Sequence, residues 1–427
     1  MSTFRYLDEN LKDKWKGIND DVPVNASMYV FVTKEEEKKF VENMYPTTIE
    51  KERYKKYRED WYERAKKFEY GEYPLSVNCE LVSTCNLACT MCYTITDKFQ
   101  NSVVGAQRVM PWLQVKSIID ECANLGVPSM SFSWRGESTM YRSRDENGEI
   151  KDFADVLRYA REKGILEITS LTHGQLINET MAKKIVEAEP SWISFSIDGL
   201  YDKYNEIRTP ANKLNDKEYN AFEKVSESIR LLVKYKKLLN KSRPSIRTNS
   251  IFPAIQNDPD AYQSYMRKIG VDFITVNELK DYRFHRLPNE RIQDNWACQY
   301  PFQRLTVSAN GTILPCTGAY NEEIGLVLGK FMGSPVKTVR DIKGKVVNQD
   351  LEEFSIYDVW HSKKLNNIRN LHKNKRRKEI EPGCRNCHHG AVHHGADYIP
   401  KEWDKKKQRW IKHDILSDKR KYKLRGN

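Results

Sequence analysis

Three cysteines crowd one short segment, Val82-Ser-Thr-Cys85-Asn-Leu-Ala-Cys89-Thr-Met-Cys92-Tyr93, with the spacing C-x3-C-x2-C. Thiolates gathered on one loop can ligate three irons of a cubane and leave the fourth iron without a protein ligand. A structural cluster or a zinc site needs a fourth ligand close by, and neither Cys nor His occurs between Tyr93 and Cys122. The trio alone still admits a zinc knuckle or a set of buried structural thiols.

The segment follows the first of a series of short β-rich runs that begin at Pro74 and alternate with amphipathic helices, the pattern of successive βα units with parallel strands. Strands are predicted at 75–81, 128–134, 166–171, 192–197, 245–252 and 273–276, and helices at 112–125, 153–163, 179–188, 218–239 and 258–268. Pro111 suits a first helical turn and Gly126 a C-terminal cap. About six units fall short of a closed eight-unit barrel. The expectation is therefore an α/β fold with a partial (β/α)6 barrel over 74–288. Ahead of it, 1–73 is highly charged, with Trp61, Tyr62 and Phe68 at near-helical spacing, and is predicted to be a helical extension. Behind it, 289–398 contains a predicted hairpin around Asn310-Gly311 and reads as a small α+β domain, followed by a basic tail at 399–427.

On these residues the chain resembles the radical S-adenosylmethionine superfamily. Asn86 after the first Cys and Tyr93 after the third match its hallmark. Arg135-Gly136-Glu137-Ser138 is similar to the family's Gly-Gly-Glu-Pro motif, which binds the methionine amino group; Gly136 and Glu137 match, whereas Arg135 and Ser138 depart from it. Thr172-His173-Gly174 stands where relatives often have Thr-Asn-Gly, and Ser194-Phe-Ser196-Ile-Asp198-Gly199, followed by Tyr204 and Arg208, is similar to Ser-x-Asp-Gly. All four segments fall at strand ends, where active sites of βα folds collect.

The resemblance implies that Cys85, Cys89 and Cys92 hold a [4Fe–4S] cluster whose vacant iron is chelated by S-adenosylmethionine. One electron then splits the cofactor into methionine and a 5′-deoxyadenosyl radical, which abstracts a substrate hydrogen. It further implies cofactor binding by Tyr93, Gly136, Glu137, Ser196, Asp198 and Arg208, with Ser196 near the ribose or carboxylate and Arg208 near the carboxylate.

A second cysteine set lies in the C-terminal part: Cys298, Cys316 in the pattern G-x4-C, and the pair Cys384-Arg-Asn-Cys387. Four thiolates in two pairs coordinate zinc or an iron–sulfur cluster, and the sequence alone does not choose. The region, including Ser355-Ile-Tyr-Asp-Val-Trp360, resembles the SPASM and twitch extensions of radical S-adenosylmethionine enzymes. Four cysteines rather than more match the shorter twitch type, implying one auxiliary [4Fe–4S] cluster, which would accept the second electron of a net oxidation.

Cys79, on the first strand, is a candidate hydrogen donor to a substrate radical if it faces the barrel interior; a small core residue is the alternative, as it is for Cys122. His388, His389, His393 and His394 read as a surface loop, and Lys375-Arg376-Arg377-Lys378 as a solvated charge run. The N-terminus Met1-Ser-Thr-Phe-Arg-Tyr-Leu-Asp lacks an apolar stretch, and no run approaches the ~20 apolar residues of a bilayer span. A cytoplasmic location without a membrane partner is expected.

The function expected first is a radical S-adenosylmethionine oxidoreductase acting on a sugar or aminocyclitol-like polar metabolite, reduced by a flavodoxin- or ferredoxin-type donor. The rival is a peptide- or protein-modifying maturase performing oxidation, epimerisation or cross-linking. A non-enzymatic zinc protein that binds nucleic acid is the third reading, motivated by the net charge of +12 and the Cys-x-x-Cys pair. Nucleic acid is not the expected partner.

Overall fold

The structure, a computed structural model, describes residues 34–95, 99, 109–211, 219–255, 258–277, 297–385, 387, 403–404 and 409–410. The expectations for 1–33, for the histidines at 388–394 and for most of the basic tail lie outside the described residues.

The six expected strands form in order as β1 Ser76–Cys79, β2 Ser129–Ser131, β5 Glu167–Thr172, β6 Trp192–Ser196, β7 Ser245–Ile251 and β8 Phe273–Asn277. A small hairpin, β3 Arg142–Arg144 with β4 Ile150–Asp152, hangs off the end of the second unit. Every neighbouring pair from β1 to β8 in the main sheet is parallel. The connecting helices are α3 Trp112–Leu125, α4 Phe153–Glu162, α5 Glu179–Ala188, α6 Tyr201–Ile207, α7 Ala221–Leu238 and α8 Pro259–Lys268. Most are closed by local chemistry: Asp152 caps α4 through the amides of Ala154 and Asp155, Asn178 caps α5, and Gly126 ends α3 at φ 80°. The result is the expected partial (β/α)6 barrel.

Alternation assigns the two faces of this sheet. Val77, Cys79, Met130, Ile168, Ile193, Phe195 and Ile246 join the apolar core that also takes in Val115, Leu157, Ile185, Val225 and Met266 from the helices. The intervening residues face the lumen, where Ser129 donates to Glu167 at 2.8 Å and Arg247 to Thr275 at 2.7 Å.

The sheet does not stop at the barrel. β9 Arg304–Val307 pairs in parallel with β1, register Ser76 to Arg304, and turns through Asn310-Gly311 into antiparallel β10 Thr312–Leu314. β11 Gly329–Phe331 and β14 Glu353–Phe354 complete one ten-stranded sheet. A separate hairpin pairs β12 Thr338–Arg340 with β13 Val346–Asn348. α9 Ile356–Trp360 and α10 Lys363–Lys373 cover this side.

The helical extension is present as α1 Lys34–Met44 and α2 Thr48–Lys67, the latter opened by a capping box between Thr47 and Glu50. Tyr45, Tyr54, Tyr57, Trp61 and Ala65 pack with Leu75, Leu166 and Ala297 in a second core at the beginning of the strands. Polar ties reinforce it: Tyr57 Oη donates to Glu167 at 3.1 Å and Gln303 Nε2 to the Trp61 carbonyl at 2.5 Å. Among the described residues no helix is long and apolar enough to cross a membrane.

Candidate functional site

The three-cysteine loop leaves β1 and is stitched to the segment that follows α6. Ala88 N donates to Thr209 O at 2.7 Å, Thr90 N to Ile207 O at 3.0 Å, and Ala211 N to Asn86 O at 2.8 Å. Each sulfur has a close polar neighbour: Leu87 N reaches Cys85 Sγ at 3.4 Å, Thr94 Oγ1 lies 3.0 Å from Cys92 Sγ, and Arg208 Nη1 approaches Cys89 Sγ at 3.8 Å. Burial raises the Cys85 thiol well above its ordinary value, and the nearby Cys89 and Cys92 push it further. Burial likewise moves Cys89 up to about 12, with Arg208 opposing and Cys92 reinforcing. Cys85 and Cys89 thus sit where bare thiolates are unfavourable, a penalty that metal ligation relieves. Among the described residues no three His, Cys, Asp or Glu side chains converge on a single ion. A cubane asks for a different arrangement, one thiolate on each of three irons.

The strand-end motifs close around this loop. A Cβ on Gly136 would lie 2.3 Å from the Val82 carbonyl oxygen and 2.6 Å from that of Thr84, so only glycine permits the approach. Glu137 N donates to Thr84 O at 2.9 Å. Its carboxylate, expected to meet the methionine amino group, is engaged by its own chain. Oε1 accepts from Thr139 N at 3.1 Å, Thr139 Oγ1 at 2.6 Å and Thr172 Oγ1 at 2.5 Å, and Oε2 from His173 N at 2.8 Å. Burial works to raise Glu137, but His173 and these donors outweigh it and hold the carboxyl below its ordinary value. His173 Nδ1 accepts from Gln175 N at 3.0 Å, which assigns the proton to Nε2, 2.8 Å from Asn86 Oδ1. Burial holds this imidazole below its ordinary value against the pull of Glu137. Glu137 and His173 therefore tie the ends of β2 and β5 to the cluster loop.

Asp198, past β6, anchors Arg208: Oδ2 accepts from Nε at 2.9 Å and Nη2 at 2.5 Å, while Oδ1 accepts from Ile251 N at 3.0 Å. Arg208 is thereby held with Nη1 toward Cys89. Ser196 ends β6, half-buried. Tyr93 is packed edge-on to Phe99 and lies 4.6 Å, centroid to centroid, from Tyr320.

Two expectations need correction. Cys79 lies on the helix-facing side of β1, fully buried, with its thiol toward Met110 Sδ at 3.6 Å and its acidity suppressed by burial. Strand alternation directs it away from the lumen, which removes it as a hydrogen donor. The charge run at 375–378 is not wholly solvated, because Arg377 is fully buried beside the C-terminal cysteines.

Sequence reasoning also missed a buried ion triad. Arg135 Nε and Nη2 donate to the two oxygens of Glu80 at 2.8 and 2.6 Å, Nη2 also to Glu322 at 2.8 Å, and Nη1 to the Tyr320 carbonyl at 3.1 Å. Ala309 N completes Glu80 at 2.9 Å, and the Arg135 guanidinium lies 3.9 Å over the Trp134 ring. Trp134 Nε1 in turn donates to Thr317 O at 2.9 Å, one residue past Cys316. The signal was the motif departure itself: a cation in a glycine's place needs buried anions.

The second cysteine set comes together from three places. Cys298 feels the charges of Cys316 and Cys387, Cys316 that of Cys387, and Cys384 those of Cys387, Cys316 and Cys298. Cys298 N donates to His372 Nδ1 at 3.2 Å, and burial, aided by Arg377, pushes His372 down to about 3. Four thiols within electrostatic reach of one another suit an iron–sulfur cluster.

Residues 80–238 match the family model described as radical SAM superfamily, and residues 298–388 match the SPASM model, an iron–sulfur cluster-binding domain. Fe-coproporphyrin III synthase of Methanosarcina barkeri is 34% identical over 124 residues, 29% of this chain and 27% of that protein, so the match spans about a quarter of the relative's length. Among solved structures, BtrN in complex with AdoMet and 2-DOIA is 14% identical with TM-score 0.39, over 73% of this chain and 92% of that one. SuiB of Streptococcus suis is 15% identical with TM-score 0.44, over 73% and 71%. Native anSMEcpe with bound AdoMet is 16% identical with TM-score 0.46, over 70% and 84%. The chain thus carries a radical SAM superfamily domain over residues 80–238 and, after it, a SPASM iron–sulfur cluster-binding domain over residues 298–388.

Proposed function

We propose that this enzyme abstracts a hydrogen atom from a neutral, hydroxyl-bearing metabolite of the sugar or aminocyclitol kind, on the way to oxidising it. The observation that carries the reading is the lumen. Barrel interiors of this type are ordinarily filled by branched apolar side chains. Here the lumen-facing positions of β9, β1, β2, β5, β6 and β8 include Thr306, Asn78, Ser131, Thr169, Ser194 and Thr275. Asn78 Nδ2 and Thr306 Oγ1, register partners on adjacent strands, are buried with no hydrogen-bond partner among the described residues. These two short uncharged groups, left unsatisfied in a lumen that also holds Glu167 and Arg247, favour a ligand that brings hydroxyls to them.

When bound, the cluster and S-adenosylmethionine supply an electron and a carbon radical that takes hydrogen from the substrate. The chain's own residues hold the geometry. Cys85, Cys89 and Cys92 supply the ligands, and Gly136 lets its strand end lie against the cluster loop. Glu137 and His173 fix that approach through Asn86. Arg208, clamped by Asp198, supplies a fixed cation beside Cys89 for an anionic group such as a carboxylate.

The test is anaerobic incubation of reduced, iron-loaded enzyme with S-adenosylmethionine and a panel of deuterated sugars and aminocyclitols, followed by mass analysis of the 5′-deoxyadenosine released. Deuterium transfer from a panel member supports the reading. Transfer only from a peptide would overturn the substrate class, and absence of 5′-deoxyadenosine would overturn the chemistry.

A further inference from the structure

We propose that Arg304 is the counter-cation of the auxiliary cluster, a positioning residue that sets the cluster's reduction potential from outside its ligand set. The inference rests on Cys298, Cys316, Cys384 and Cys387 holding that cluster.

Arg304 opens β9 and is 7% exposed. Its guanidinium lies between two rings, 4.3 Å from the centroid of Tyr300 and 4.9 Å from that of Trp61 on α2. Nε and Nη2 are buried and make no hydrogen bond among the described residues, where no carboxylate pairs with the side chain either. A guanidinium that is always charged and so placed is expensive unless an anion sits nearby. Tyr300 packs directly on Cys298 and Cys316, so the cation is one ring away from the auxiliary cysteines. Its charge is felt at Cys316, where it opposes the effect of burial.

A cluster held by four thiolates is a net anion and gains further negative charge on reduction, so a fixed cation at this place favours the reduced state. The rings serve a purpose in this account. They attract the cation through their faces without neutralising it, which leaves its field directed at the cluster. A carboxylate in the same position would cancel that field. α2 thereby contributes, through Trp61, to a redox site that the N-terminal sequence gives no sign of touching.

The experiment is a redox titration of reconstituted holoenzyme followed by electron paramagnetic resonance, on wild type and on Arg304→Lys, Arg304→Gln and Arg304→Met. The neutral variants are expected to move the auxiliary midpoint to more negative potential while the S-adenosylmethionine-binding cluster stays in place, and Arg304→Lys to remain near wild type. An unchanged auxiliary midpoint in a fully iron-loaded Arg304→Met protein would overturn the proposal. So would equal loss of auxiliary iron in the Lys and neutral variants, since charge would then not be the property that matters. A wild-type protein that takes up only one cluster would overturn the four-cysteine assignment and the proposal with it.

Discussion

Arg135 shows how a single side chain can look like a blemish in a motif and still organise a site. It occupies the place of a glycine, beside Gly136 and Glu137, and is fully buried between Glu80 and Glu322. Coulombic attraction from the two carboxylates outweighs burial and holds the guanidinium firmly charged. Removing it leaves two acids in a low-dielectric space, which typically destabilises by about 3–5 kcal/mol. We therefore expect Arg135→Met to lower the free energy of unfolding by that much, and Glu322→Gln added to it to restore part of the loss, read in a double-mutant cycle by chemical denaturation. A loss in the double variant equal to the sum of the two single losses would show that the pair is not coupled. The cysteine trio was legible because its chemistry is written in consecutive residues. This triad was not, because Glu80, Arg135 and Glu322 meet only after a whole barrel and a hairpin have folded. Glu137 is an intermediate case: its place was legible from the motif, whereas its partners, Thr139, Thr172 and His173, were supplied by the packing of two strand ends.

Among elements, those that read most clearly carry their own start and stop signals. α3 forms over Trp112–Leu125 as predicted because Pro111 precedes it and Gly126 ends it, and α5 over Glu179–Ala188 because Asn178 caps it. Strands were placed correctly, but some were drawn too long: β2 covers Ser129–Ser131 where 128–134 was predicted, since pairing with β1 and β5 ends before the apolar run does. The contact of α2 with the barrel floor was beyond sequence reasoning, and it contains a titrating group. Glu167 accepts from Ser129 and from Tyr57 of α2 and is pushed up to about 8 by burial, against the pull of Arg247. A carboxyl whose folded value exceeds its unfolded value stabilises the fold at low pH, and that contribution is lost as pH rises through about 8. Wild type should therefore lose stability between about pH 5 and pH 8. Glu167→Gln should flatten that slope, by an amount on the order of 4 kcal/mol, in denaturation curves collected across the range. A parallel slope in both proteins would place the titration elsewhere.

For the molecule as a whole, the decisive feature is that one sheet runs through both family-matched regions. β1, which carries the cluster loop, has β2 on one edge and β9 on the other. A chain ending at residue 288 would lose β9 and leave β1 with an unpaired edge of main-chain donors and acceptors. We expect such a chain to aggregate or to lack cooperative unfolding in calorimetry; a soluble fragment with a sharp transition would show that the barrel stands alone. The hairpin at Asn310-Gly311 was legible from its turn residues, whereas its attachment to the first strand was not, because parallel pairing leaves no local mark in the sequence.

The pairing of Ser76 with Arg304 also has a history in time. On the ribosome, the strand that leads into the iron-binding loop emerges early, yet its second neighbour is synthesised only after most of the chain has left the tunnel. Until then its loop is tethered to a half-built support. The support of that loop is consequently complete only once translation has passed the auxiliary hairpin.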